Sequence, residues 1–128
     1  MREFTDEDFE QINAWRIERG AKILPMDAYP KMGLIEDGVA AGFLTITDAH
    51  WVIAENFVSN PKAYKGDREK AILEMIETFE QYAVKCGYRF LLAVTNHPKI
   101  EEYAKLSGGK PIDYRVYGKE LPWVSGTH

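Results

Sequence analysis

The apolar positions of this 128-residue chain fall into two rhythms, and each predicts a type of element. Phe9, Ile12, Trp15 and Ile17 return at helical spacing behind Thr5 or Asp6, with carboxylates in the first turn, where the helix dipole favours them. Gly20 ends that helix, and residues 1–4 before it read as a short strand. The two prolines within residues 24–30 mark an irregular connection where a binding loop could sit. Residues 32–36 and 39–47 then read as strands joined by Asp37-Gly38, a pair that takes positive φ at little cost. A third strand, 51–58, is β-branched and aromatic, with one polar break at Glu55-Asn56. Such a break predicts a bulge or a residue facing a cleft.

The second half alternates helix and strand. Ile72, Met75, Ile76, Phe79, Ala83 and Cys86 form one stripe of a helix over residues 67–86, which Gly87 closes. Residues 88–94 are almost continuously apolar, which predicts a strand buried on both faces. Asn96 and Pro98 open another helix with Ile100, Tyr103 and Leu106 inward, ended by Gly108-Gly109. Ile112, Tyr114 and Val116 alternate with Asp113, Arg115 and Tyr117, which predicts a last strand over 112–117. No repeat or linker interrupts the pattern. It predicts one α/β domain over residues 1–117, with 118–128 as a tail or a short further strand.

Charge and composition narrow the function. The net charge of −4 gives no general drive toward nucleic acid or an anionic membrane. Cys86 is the only cysteine, so no internal disulfide forms and a reducing, cytoplasmic setting is expected. The first six residues hold no apolar core of a signal peptide, and no apolar run reaches the roughly 18 residues of a membrane span. His50, His97 and His128 stand apart, with no second ligand at metal spacing, so no metal site is expected.

The element order resembles the GNAT superfamily, the Gcn5-related N-acetyltransferases. Two stretches carry the resemblance. Val58-Ser59-Asn60-Pro61, Tyr64-Lys65-Gly66 and the long helix up to Lys85-Cys86-Gly87-Tyr88 are similar to the family's strand, phosphate loop and helix. Asn96, Ile100, Tyr103, Lys105-Leu106 and Gly108 are similar to its final Asn-headed helix. The resemblance implies an α+β fold with a mixed, twisted sheet of about six strands and helices on both faces. The strands around 51–58 and 88–94 would be parallel and would splay apart. It also implies acetyl-CoA as cofactor and an amine, on a small molecule or a protein, as acceptor.

Site residues follow from the same resemblance. Glu55 corresponds to the family's base, and Tyr103, seven residues after Asn96, to its acid. Phe57 and Val58 would bind the pantetheine arm through their backbone, while Lys65, Gly66, Arg68, Lys70 and Asn96 would face the rest of the cofactor. The acceptor would enter beside residues 26–30. Aligning the family's phosphate loop puts Tyr64 at its Arg/Gln position and Asp67 and Glu69 at two glycine positions. Two carboxylates then stand where a diphosphate docks, yet Asp67 as a cap and Glu69 in an acidic first turn suit a helix that receives no anion. Structural roles are equally open elsewhere: an edge carboxylate for Glu55, a core tyrosine with its hydroxyl at the surface for Tyr103, a helix cap for Asn96. A looser resemblance of layout, to small GNAT-like internal virion proteins of T7-like phages, implies the alternative. There the chain is a non-catalytic phage protein, in a virion or an infected host's cytoplasm, that binds a protein partner or a second copy of itself. Trp123 in the tail Leu121-Pro122-Trp123-Val124 is a candidate contact, or a cover for the domain's own sheet edge.

Overall fold

A computed structural model describes residues 1–95, 98–112, 117–119 and 121–122. Its elements run β1 (Arg2–Glu3), α1 (Phe9–Glu18), β2 (Met32–Glu36), β3 (Ala40–Ile46), β4 (Trp51–Ser59), α2 (Lys65–Lys85), β5 (Phe90–Ala93) and α3 (Pro98–Leu106), with single 3-10 turns at Asp6–Asp8 and Met26–Ala28. The strands form one sheet in the order β1-β2-β3-β4-β5. The first three pairings are antiparallel, and β4 pairs with β5 in parallel, as the long helix between them requires. Five strands stand among the described residues where about six were expected; most of the expected strand 112–117, with Asn96 and Trp123, lies outside them. No described helix is long and apolar enough to cross a membrane.

The sheet separates two cores. On one face Ala40, Leu44, Val52 and Ala54 meet the α2 stripe of Ala71, Ile72, Met75, Ile76, Phe79 and Ala83, joined by Ile100 and Tyr103 of α3. On the other, Ala41, Phe43, Ile35 and Val58 pack on Ile12 and Trp15 of α1 and on Tyr29. The period of two along β3 assigns alternate residues to the two cores. Before α1, the Asp8 carboxylate accepts hydrogen bonds from the Thr5 N–H (2.8 Å) and from both terminal nitrogens of Arg2 (2.8 and 2.6 Å), while Arg2 also reaches Asp37 (2.7 Å). One guanidinium thus ties β1, the β2–β3 turn and the start of α1 together.

Several expectations change. The long helix starts at Lys65 rather than at 67, with Tyr64 in the extended N-cap position, so Asp67 is not the cap. Asp67 lies in the first turn, and Glu69 one turn deeper. Cys86 is exposed at the C-cap instead of completing the buried stripe. Leu106 is 74% exposed, because each three-residue step from Ile100 to Tyr103 to Leu106 falls about 60° short of a full turn. The run 88–94 reduces to the four-residue β5, and Phe90 is 58% exposed. Leu91 and Leu92 are half-buried, and Leu91 packs against the α2-side core.

Candidate functional site

The two parallel strands stop pairing early. Their register runs from Trp51↔Phe90 to Ala54↔Ala93, and the last bond across them is Val94 N–H to Ala54 O at 3.0 Å. Beyond it β4 continues to Ser59 beside β3 alone among the described residues, so the sheet splays open there, as the resemblance implied. The predicted bulge sits at the point of parting. Ala41 pairs with Val58 and Phe43 with Glu55, so Gly42 is opposed by two residues, Asn56 and Phe57. Asn56 takes φ +55°, a region that asparagine tolerates better than most residues. Gly42 is required opposite it: a Cβ there would lie 2.7 Å from the Phe57 ring.

The bulge also turns main-chain groups toward the opening. The Asn60 N–H bonds to Val39 O, so alternation points the backbone of Val58 toward β3 and that of Phe57 and Ser59 away from it. Ser59 O is met there by Arg19 Nε at 2.9 Å, and its Oγ by Arg19 Nη2 at 2.7 Å.

These elements enclose a cleft of about 900 Å³. Asn56 to Ser59 form its floor, Val94 and Thr95 its β5 side, and Arg16, Arg19 and Ala21 its α1 wall. The facing wall comes from Lys65, Arg68, Glu69 and Ile72 of α2 and from Lys99, Ile100 and Tyr103 of α3. Five side chains of the lining are cationic and one is a carboxylate. That carboxylate, Glu69, stands 3.9 Å from both Lys65 and Lys99, so its charge is offset within the site. At the start of α2 the Lys65 and Gly66 amides have no carbonyl one turn earlier to bond, which leaves positive potential facing the cleft.

Electrostatics distinguish two groups. The Tyr103 hydroxyl is buried with no hydrogen-bond partner among the described residues, which replaces the expected surface hydroxyl. Burial, then the nearby carboxylates of Glu69 and Glu102, pushes its pKa above the ordinary tyrosine value, so it stays protonated. Burial lowers the pKa of Arg19, and the neighbouring Arg68 charge adds to that effect.

The cleft brings together some of the residues the sequence singled out. Phe57, Val58, Lys65, Arg68 and Tyr103 line it; Gly66, Asp67 and Lys70 do not. Gly66 instead makes room for the Tyr64 ring, which lies 2.8 Å from where a Cβ would be. Glu55 precedes the bulge and therefore keeps the parity of the α1 face, where its carboxylate accepts a hydrogen bond from Thr45 Oγ1 at 2.9 Å; it is outside the lining. Residues 26–30 are outside it as well, with Tyr29 buried in the α1-side core. Asn96 lies outside the described residues. Arg16, Arg19 and Lys99 were missed by sequence reasoning, since single basic residues on amphipathic helices carry no signal of what faces them.

Comparison with known proteins gives a fold. No family model matches the sequence, and no curated protein does. Among solved structures, a point mutant of TTHA1254 from Thermus thermophilus superposes with a TM-score of 0.67 at 15% identity, over 97% of this chain and 100% of that one. A protein described as a probable acetyltransferase superposes with a TM-score of 0.57 at 12% identity, over 98% and 99% of the two chains. The chain has a GNAT-like fold.

Proposed function

We propose that the protein is an acyltransferase that moves an acyl group from a coenzyme A thioester to an amine, with the cleft between β4 and β5 as its active site. One observation carries the reading: the strand edge at Phe57 and Ser59 and the cationic start of α2 meet in one cleft, and Tyr103, whose buried hydroxyl has no hydrogen-bond partner among the described residues, is one of the residues that line it. Each suits a different part of an acyl-CoA. The Phe57 main chain would bond the amides of the pantetheine arm as a neighbouring strand does. Lys65, Arg68 and the first α2 amides would hold the diphosphate. The fit departs from a glycine-lined phosphate loop, because Gly66 is covered by Tyr64 and Glu69 enters the lining. Here side-chain cations take the place of bare backbone, and Lys65 and Lys99 offset the one carboxylate.

In the reaction the amine nitrogen attacks the thioester carbonyl carbon, the C–N bond forms and the C–S bond breaks. The nitrogen loses one proton and the departing thiolate takes one up. Tyr103 is the donor to sulfur; burial raises its pKa, so it holds its proton before the transfer. Glu55, on the same strand but outside the lining, would accept the amine proton through water. Calorimetric titration with acetyl-CoA tests the reading: micromolar binding is expected, and no heat at millimolar ligand would remove it.

The non-catalytic alternative, a phage protein acting on a protein partner, is favoured by Glu69 within the cleft. It predicts no acetyl-CoA binding in the natural chain and new affinity when Asp67 and Glu69 are both replaced by glycine. Micromolar binding by the natural chain would overturn it.

A further inference from the structure

The α1 wall of the cleft is built differently from the wall that faces it. On the α2 and α3 side, Lys65 and Lys99 share the Glu69 carboxylate. On the α1 side, Arg16 and Arg19 are held by neutral acceptors: Arg16 Nε donates to Lys22 O at 2.9 Å, and Arg19 Nε and Nη2 donate to Ser59 O and Oγ. Neither arginine has a carboxylate within ion-pair distance among the described residues. The carboxylate adjacent in sequence, Glu18, is turned to Lys62 at 3.9 Å. Arg68 approaches from α2 and adds repulsion instead of relief. Held at Nε by backbone, Arg16 presents its two terminal nitrogens as a fork of fixed orientation, the geometry that accepts both oxygens of a carboxylate. The buried Tyr29 hydroxyl lies against the Arg16 guanidinium: burial raises the tyrosine pKa, while the arginine's charge and its side-chain hydrogen bond to the hydroxyl act to lower it.

We infer that Arg16 and Arg19 bind a carboxylate on the acceptor, so that the amine acylated in this cleft belongs to an amino acid. The inference rests on the acyltransferase reading and deepens it. The acyl donor lies along β4 and reaches the α2 N-terminus, which leaves the α1 wall to the acceptor. A carboxylate fixed by that wall would hold the amine on the near side of the Phe57 backbone, within the cleft that Tyr103 also lines.

The test uses the whole protein, acetyl-CoA, and the proteinogenic amino acids, each paired with the amine that lacks its carboxylate, such as phenylalanine with phenethylamine. Release of CoA thiol is followed, and acetyl-CoA binding is measured separately by calorimetry. At least one amino acid should be acylated with a kcat/KM about tenfold to a hundredfold above its carboxylate-free partner. Arg16→Gln should erase most of that ratio, chiefly through KM, while acetyl-CoA affinity stays within about twofold. Arg19→Gln should erase it too, with acetyl-CoA affinity falling as well because Arg19 bonds Ser59 of the cofactor's strand edge. Arg16→Lys, which keeps the charge without the fork, should fall between. Equal use of both members of every pair, or turnover of none of the amino acids, overturns the inference. So does a loss of acetyl-CoA affinity in Arg16→Gln that vanishes with dephospho-CoA, since the arginines would then be reading the cofactor's phosphate. If acetyl-CoA gives no heat with the natural protein, the acyltransferase reading itself has failed and this inference with it.

Discussion

The two halves of β4 are made of one continuous strand and do opposite work. Residues 52–54 are paired on both sides, with β3 and with β5, and their inward side chains Val52 and Ala54 are buried in the α2-side core. Residues 55–59 are paired on one side only among the described residues, begin with a bulge at positive φ, and turn main-chain groups into a cleft. A strand flanked on both sides has its hydrogen bonds satisfied by the fold. A strand flanked on one side leaves groups for other partners, Arg19 at the Ser59 carbonyl and a ligand at Phe57, and the difference arises within a single residue step at Ala54. The paired half should therefore control stability, and the open half function.

The largest expected effect strikes under the paired half. Phe79→Ala removes a ring that is 2% exposed in the core shared with Val52 and Ala54, and should lower unfolding free energy by about 3–5 kcal/mol in chemical denaturation. Tyr103→Phe should do the reverse. Turnover should fall about a hundredfold or more, while stability rises by roughly 1 kcal/mol, because an unpartnered buried hydroxyl is removed. A fall in melting temperature for that variant would mean that the hydroxyl is already satisfied in the free protein.

Smaller changes sharpen the boundary between the halves. Gly42→Ala should cost about 1–3 kcal/mol by pressing on the Phe57 ring, and acetyl-CoA binding should suffer with it because Phe57 lines the cleft. Asn56→Val places a β-branched residue at φ +55° and should cost about 1–2 kcal/mol; retention of full stability would show that the bulge relaxes readily.

The mildest test lies far from the cleft and concerns pH. Arg2, then burial working against it and the Thr5 N–H working with it, sets the Asp8 pKa at about 2 against 3.8 for a free side chain. A lowered folded value means that the stabilisation is complete above about pH 4 and lost as pH falls toward 2. Asp8→Asn should flatten that part of the melting-temperature profile and leave the neutral-pH cleft unchanged.

How much of this was legible before folding depends on the kind of signal. The bulge was readable because Glu55-Asn56 breaks an apolar run, and the α2 stripe because its spacing repeats over several turns. The start of α2 was misplaced because Asp67 is a better cap by residue type than Tyr64, yet tertiary context put Tyr64 at the N-cap with its ring over Gly66. Glu55 could be placed on its strand but not on a face of the cleft, since the bulge that follows it changes which side chains share a face. Arg16, Arg19 and Lys99 were invisible as a group. They belong to two helices, and only the splay of β4 from β5 gives them a common cleft to face.

The most direct measurement is the backbone amide spectrum of the protein titrated with acetyl-CoA. If the open half of β4 is the cofactor's docking strand, the Phe57 and Ser59 amides and those of Lys65, Gly66 and Arg68 shift saturably at micromolar ligand, while the doubly paired residues 52–54 hold their positions. Acetyl-CoA at millimolar concentration that leaves the Phe57 and Ser59 amides unmoved, or that shifts 52–54 as much as 55–59, would contradict the account.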